Sequence, residues 1–400
     1  MKKTFERKTV ITVFGTIMGT LIMACLIGLA INPTGSQFEV VDHMYYVFAD
    51  FFDPVIWAAD RNPYIGKPAV SVYLPFCYLL LYPFSCLDTY SSMPREYAFD
   101  SPIGMFSCFI YLFISLTVLY FSLYKLGQSK RSTLFILVLL FFSHVNLYSV
   151  ERSNLVILAA GLVTAFLFLY DSPKKSNRIL ALVFLSIAAV LKIYPAILGL
   201  LLLFDKRYKS IAFCLLLGIV LTFAPFAFLH HGFFENMEQL VANLTSFSEG
   251  MGVFGLPRIL SVVQRYVNLP AILFPVFKCI QLLLLAMSIV ICFFTKDKWL
   301  KIALLTICVI MLPAYSAFYC GLYFFPAIVL FFNKQTYNRK DILYVLLFCV
   351  FLNPFQLFFI GDAPNQVVSK CALLAIWGLL LVDGVKEVKL RAYLNKLLHK

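Results

Sequence analysis

The chain has 400 residues, 62% hydrophobic and 13% charged, where an ordinary soluble domain runs nearer 45–50% and about 25%. That balance excludes a soluble enzyme, a disordered chain and a nucleic-acid module. Apolar segments that are continuous rather than alternating exclude a β-barrel. The net charge of +13 reads as lysine and arginine gathered in short cytoplasmic loops rather than as a polyanion-binding surface, so no nucleic-acid partner is expected.

A bilayer core ~30 Å thick takes ~20 apolar residues per helix, so about twelve helices would use roughly 240 residues. The expected fold class is an all-α polytopic membrane protein: one integral membrane domain over 1–400, about twelve transmembrane helices and two long outer loops. In chain order, Lys2, Lys3, Arg7 and Lys8 precede an apolar run, 9–31. The run is too long for a signal-peptide core and lacks a clear cleavage site. It is expected as a first helix with its N-terminus inside. Residues 33–68 are then a long outer loop carrying Glu39, Asp42, Asp50, Asp53 and Asp60. Apolar segments follow at 69–87, 105–124, 133–149, 155–170, 179–204 and 210–229. After a second outer loop, 230–268, come 269–294, 300–319, 321–333, 342–360 and 368–383.

Basic connectors lie at 125–131, 174–178, 205–209, 296–301 and 334–340. Placing all of them in the cytoplasm meets the positive-inside rule. It also requires 69–87 to dip in and out and 179–204 to cross twice as a hairpin, with breaks at Pro75, Pro83 and Pro195. The alternative lets each segment cross once and puts 125–131 and 174–178 outside. Both give twelve crossings and cytoplasmic termini, and the choice stays open. Asp171, Asp205 and Asp341 flank cytoplasmic ends and are expected to be solvated. The tail 384–400, with Val385, Val388, Leu390, Leu394 and Leu398 among lysines, is expected as an amphipathic helix on the anionic leaflet. The absence of a clear internal repeat speaks against a secondary transporter.

The eleven cysteines show neither a CxxC pair nor Cys/His ligand spacing. Those within apolar runs, such as Cys25, Cys214, Cys292 and Cys349, are expected as small buried hydrophobes. Cys77 and Cys86 are the one pair placed for a disulfide. No Walker loop, GxGxxG, HExxH or EF-hand pattern is present, so no nucleotide cofactor or metal is expected.

The sites for chemistry lie among the charges that topology does not need. Asp50 stands among Phe48, Phe51, Phe52 and Trp57. A carboxylate beside apolar rings is partly desolvated and a better proton acceptor. The competing reading is an interfacial helix with its acids to water and its rings to lipid. Glu151-Arg152-Ser153-Asn154 separates two apolar runs with almost no loop, and charges at that depth are functional or paired. Lys192, in Leu191-Lys192-Ile193-Tyr194-Pro195, must pair, snorkel or bind an anion. His230 and His231 either donate to a phosphate or sit in the headgroup zone. Asn243-Leu244-Thr245 fits a glycosylation sequon, and 236–247 fits an interfacial helix.

At these residues the chain resembles glycosyltransferase family 87, membrane enzymes of the GT-C fold typified by polyprenyl-phosphate-mannose-dependent mannosyltransferases. Asp50-Phe51-Phe52-Asp53, Asn62-Pro63-Tyr64 and Tyr73-Leu74-Pro75-Phe76 are similar to the family's first outer loop: an Asp, an Asn/Asp-Pro-Tyr, then a Tyr-Pro-Pro-Leu. Glu151-Arg152-Ser153-Asn154 is similar to its Glu-Arg-Gly-Asn element, and Lys192-Ile193-Tyr194-Pro195 to its Lys-x-Tyr-Pro element. The three match in order over roughly residues 40–210. Leu74 departs from the Pro-Pro pair, Ser153 from the glycine, and Asp53 from a frequent asparagine.

The resemblance implies a GT-C-like bundle with a catalytic module at 1–229, C-terminal transmembrane helices at 269–383 and the tail beyond, in a bacterial plasma membrane. It implies transfer of a hexose, mannose being the expected sugar, from a polyprenyl-phosphate sugar to a cell-envelope glycan or glycolipid acceptor on the outer face, with inversion. Asp50 would be the catalytic base. Lys192, Arg152, His230 and His231 would bind the donor phosphate, in that order. Asp53, Tyr64, Tyr73, Glu151, Asn154, Tyr194 and Arg258 would bind substrate or support the site. No soluble cofactor is implied, and no residue pattern supports a divalent metal. Against this stand a transporter or flippase for a lipid-linked saccharide, indifferent to Asp50→Asn, and a non-catalytic scaffold, which would need neither Lys192 at membrane depth nor an acid among rings.

Overall fold

The computed structural model of the chain describes residues 4–31, 47–68, 70–87, 100–247, 254–264, 266–313, 317–354 and 366–398. Lys2, Lys3, loop residues 33–46 with Glu39 and Asp42, and Arg265 lie outside the described residues, as do the side chains of Leu390, Leu394 and Leu398. Apart from one antiparallel pair, Phe5–Glu6 with Thr336–Tyr337, the described elements are helices. Among the described residues five helices are long and apolar enough to cross a membrane: Arg7–Gly28, Pro102–Leu126, Tyr208–Phe228, Leu273–Phe294 and Val367–Lys389. A bent pair, Lys130–Phe141 and His144–Arg152, angled by 61°, makes a sixth. Other expected segments form shorter helices. Val156–Leu169 has 14 residues and spans ~21 Å, against a hydrocarbon core of ~30 Å. The expected outer loops are not loops throughout: Ala49–Ala58 lies in the first, and Gly232–Phe247 and Leu256–Val263 lie in the second.

The chain forms two compact units whose segments interleave. One comprises Met1–Val40, Tyr124–Leu147 and Gly252–Lys400, the other Val41–Leu123 and Tyr148–Met251.

The first unit is built on Lys298–Met311, a helix buried along almost its whole length. Asp297 starts it by accepting the N–H groups of Trp299 and Leu300, two of the donors a helix start leaves unpaired. Its end is held by Gln281, which donates to Met311 O at 2.7 Å and accepts from Leu256 N–H at 2.6 Å. Asn338 and Asp341 form a capping box on Arg339–Leu352. Asp341 was expected in solvent; it is buried, and Lys334 pairs with it at 3.0 Å. Its second job, receiving the Asn338 N–H, explains the burial. The helix Gln366–Leu398 runs on through the expected tail and is fixed by Asp383, which accepts from Lys340 and Tyr344.

In the second unit Pro102–Leu126 and Val156–Leu169 run side by side in the same direction. Tyr111 meets Asn154, and eight residues on Leu119 meets Gly161. A Cβ on Gly161 would lie 2.8 Å from Leu119 N and 3.1 Å from Leu119 Cα. Both are backbone atoms that cannot rotate away. Gly161→Ala is expected to destabilise the chain by about 1–3 kcal/mol, read as a lower Tm in detergent. Gly199→Ala, whose Cβ would meet only Leu185 Cδ2 at 3.8 Å, is the control. Equal Tm values for the two variants would contradict the close approach.

Lys175–Leu191 ends at Lys192, whose backbone is extended (φ −149°, ψ 120°). The chain then returns through the 3-10 turns Tyr194–Gly199 and the helix Leu200–Phe204. Gly199 comes back beside Leu185, whereas a straight helix would set residues fourteen apart ~21 Å from one another. At the far end Arg207 donates to Tyr170 O at 2.6 Å and pairs with Asp171 at 2.7 Å. The basic connectors 174–178 and 205–209 thus share one end of this unit and Lys192 lies at the other, which is the hairpin alternative. Asp171 and Asp205 are exposed, as expected of solvated acids, and both pair with Arg207.

Candidate active site

The site begins with the start of Ala49–Ala58. Phe48 holds φ at 52°, a left-handed conformation that costs a non-glycine residue ~1–2 kcal/mol. Its N–H donates to Glu151 O at 2.7 Å. That bond lays the first helical turn, with Asp50, against residues 151–154. There the helix His144–Arg152 ends and Ser153 turns the chain at φ 49°. A glycine, as in the Glu-Arg-Gly-Asn element this stretch resembles, would sit there without strain.

Asp50 receives three N–H groups. Arg152 grips it side-on, Nε to Oδ2 at 3.1 Å and Nη2 to Oδ1 at 2.6 Å. Asn154 Nδ2 donates to Oδ2 at 2.6 Å. The Asn154 amide is itself oriented, because its Oδ1 accepts from Val156 N–H at 2.9 Å. Its backbone carbonyl accepts from Tyr111 OH at 3.1 Å, and the Tyr111 ring stacks on Phe51 at 5.1 Å. The Asp50 and Arg152 side chains are 16% and 19% exposed. The acid is therefore not simply desolvated among rings, as expected. Phe51 and Phe52 are buried, while the carboxylate is fixed by donors in a fork geometry.

The second cation stands nearby in the fold's logic. Lys192, at the reversal, places its ammonium 4.3 Å from the centre of the Tyr73 ring, within cation–π reach. Tyr73 is half-buried and interacts electrostatically with Asp50 as well, so its ring lies between the acid and Lys192 in the chain of contacts. Tyr64 OH donates to Tyr73 O at 2.7 Å, and its ring packs with Tyr78 and Phe226. Asn62 closes the preceding loop by accepting from Ile65 N–H and donating to Ile65 O. Ser71 joins Pro63 O to Tyr78 OH. Asn62, Tyr64 and Ser71 thus tie down the chain on either side of Tyr73.

The remaining candidates divide. Asp53 lies one turn beyond Asp50, half-buried. Glu151 is buried and supplies the carbonyl that holds Phe48. Tyr194 opens the 3-10 turns after Lys192. His230 and His231 are exposed and belong to another set of contacts. The His230 N–H donates to Arg61 O at 2.9 Å, its carbonyl receives Asn236, and His231 faces Glu235 at 3.7 Å. Arg258 lies in the first unit. Asn243 is buried and donates to Ser71 O, so its side chain serves the fold. Cys77 and Cys86 are both free, and the Cys77 thiol instead donates to Val190 O and Leu191 O beside Lys192. The residue missed from sequence is Tyr111, whose hydroxyl inside an apolar run carries no motif. Among the described residues, no three His, Cys, Asp or Glu side chains gather as they would around a metal ion.

Residues 72–316 match the family described as glycosyltransferase family 87. The matched stretch holds Tyr73, the 151–154 element and Lys192, while Asp50 and Tyr64 precede it. No curated protein and no solved structure matches the chain.

Proposed function

Because the chain belongs to glycosyltransferase family 87 and is therefore a membrane glycosyltransferase, we propose that it moves a hexose, mannose being the expected sugar, from a polyprenyl-phosphate donor to a glycan or glycolipid of the cell envelope, with inversion. The observation that carries this reading is the occupancy of Asp50. A carboxylate oxygen accepts about two hydrogen bonds. Oδ2 has Arg152 and Asn154, but among the described residues Oδ1 has Arg152 alone. One acceptor position is left on an oriented, partly exposed acid.

An acceptor hydroxyl would present its proton to Oδ1 while its oxygen attacks the anomeric carbon. The bond from that carbon to the phosphate oxygen breaks, its electron pair leaves with the polyprenyl phosphate, and the proton passes to Asp50. Charge grows on the leaving phosphate, so a cation aimed there lowers the barrier. Lys192 has that role. Arg152 chiefly orients the base, and its positive charge favours the donor phosphate nearby. His230 and His231 contribute to the headgroup entrance, while Tyr73 and Tyr64 fix the wall. With basic ends in the cytoplasm, the reversal at Lys192 faces outward in a plasma membrane crossed about twelve times.

The test supplies the purified chain in bilayers with a labelled polyprenyl-phosphate hexose or a labelled nucleotide sugar. Label is expected in a new glycosidic bond from the lipid donor only. Transfer from the nucleotide sugar, or movement of lipid-linked sugar across the bilayer with no new bond, would overturn the reading.

A further inference from the structure

Cys77, expected as a disulfide partner, is a free and fully buried thiol on the first turn of Pro75–Ser85. It donates to Leu191 O at 3.6 Å and to Val190 O at 3.7 Å. These are the last two carbonyls of Lys175–Leu191. In a continuing helix the N–H four residues on would bond to the Leu191 carbonyl. That residue is Pro195, which has no N–H. The extended backbone at Lys192 ends the ladder that would serve Val190. Carbonyls freed at a break inside a membrane protein are satisfied by neighbouring side chains, and here the Cys77 thiol does this.

The same short segment also holds the far end of Lys192. Tyr73 stands four residues before Cys77, and its ring centre lies 4.3 Å from the Lys192 ammonium. Residues 73–77 thus grip Lys192 twice. Cys77 takes the carbonyl just before its backbone, and Tyr73 meets the tip of its side chain. Neither grip suffices alone. A lysine stem is flexible, and a cation–π contact fixes little more than the distance of the charge from the ring. With both, the backbone of Lys192 is tied to the segment that carries the ring beneath its ammonium.

We propose that Cys77 is a positioning residue, whose thiol sets the backbone at Lys192 so that the ammonium stands over Tyr73. This placement holds whatever Lys192 does. Its effect on rate rests on the reading of Lys192 as the cation at the donor phosphate.

The test uses the full chain in detergent, its lysines reductively dimethylated with a labelled methyl group, a change that keeps their charge. The ring current of Tyr73 should move the Lys192 methyl resonance upfield, and Lys192→Arg identifies that resonance by removing it. Cys77→Ala is expected to abolish the upfield shift, while Cys77→Ser keeps a donor and should keep the shift. In bilayers with the lipid donor, Cys77→Ala should lower kcat about tenfold to a hundredfold with KM little changed, the scale of a misplacement near 1 Å. Cys77→Ser should recover most of that rate. Cys292, equally buried, donates to Lys301 O at 3.5 Å in the first unit. Cys292→Ala removes the same kind of bond and should change neither the resonance nor kcat. If Cys77→Ala does not fold, Cys77→Val, which fills the space without a donor, takes its place. The resonance reads the placement without any sugar transfer, so it stands or falls apart from the reading of the reaction. An unchanged Lys192 resonance in a folded variant lacking the donor overturns the proposal. So does an equal loss of the shift in Cys77→Ser and Cys77→Ala, which would make the side chain's volume, and not its bond, the cause.

Discussion

Asp50→Asn is expected to lower the transfer rate about 10²- to 10⁴-fold, the usual contribution of a positioned acid or base. The substitution keeps the shape of the side chain but removes its charge and one acceptor oxygen. Arg152 then keeps at most one of its two contacts. Losing one partner of a buried pair costs ~3–5 kcal/mol, and less where both side chains keep some exposure, as here. Part of any loss could therefore come through Arg152, and Arg152→Lys separates the two causes. It keeps the positive charge and gives up the fork, so it should slow transfer less than Asp50→Asn does. Equal losses in the two variants would mean that Asp50 acts by holding Arg152. Transfer at the parental rate in Asp50→Asn would remove Asp50 as the base.

Lys192→Met is expected to reduce kcat about 10²- to 10³-fold, as when one donor to a developing charge is removed. The effect should fall on kcat more than on KM, because the phosphate gains its extra charge only in the transition state. Lys192→Arg restores a cation at the same place and should recover most of the rate. The contact with Tyr73 adds ~0.5–1 kcal/mol to stability, so a small fall in Tm accompanies Lys192→Met whatever its role in transfer. A fall in Tm with kcat unchanged would reduce Lys192 to a packing residue.

Both residues stood out in the sequence because membrane topology does not need them. Asp50 lies in an expected outer loop and Lys192 inside an apolar run, so each charge called for a reason. What stayed hidden was their partners. The contact between Arg152 and Asp50 joins positions 102 apart, and such pairing is set by tertiary packing that no local pattern encodes. For that reason Arg152 read as a phosphate ligand when its guanidinium is turned first to the acid. The reversal at Lys192 was one of two open readings, since Pro195 suits a kinked crossing as well as a hairpin. It took the return of Gly199 to Leu185 to choose between them. Tyr111 was illegible because one hydroxyl in an apolar helix resembles any buried tyrosine until its partner, Asn154 O, is known. Asp341 misled for the opposite reason. An acid next to a basic connector looks solvated, but here it caps a helix and pairs with Lys334.

The interleaving of the two units was also invisible, because the hydropathy pattern marks apolar segments without saying which of them pack together. The left-handed turns at Phe48 and Ser153 are the subtler case. Neither residue type announces a positive φ, yet the Phe48 turn, with its bond to Glu151 O, brings Asp50 to Asn154. Strain held at such points is a common mark of a working site.

The most direct measurement of the central claim is a structure of the Asp50→Asn chain in a bilayer with its polyprenyl-phosphate hexose bound. The account predicts the donor phosphate at hydrogen-bond distance, ~3 Å, from Lys192 Nζ, with the anomeric carbon turned toward residue 50 and room beside it for a hydroxyl. A donor phosphate held away from Lys192, or a sugar turned away from residue 50, would contradict it.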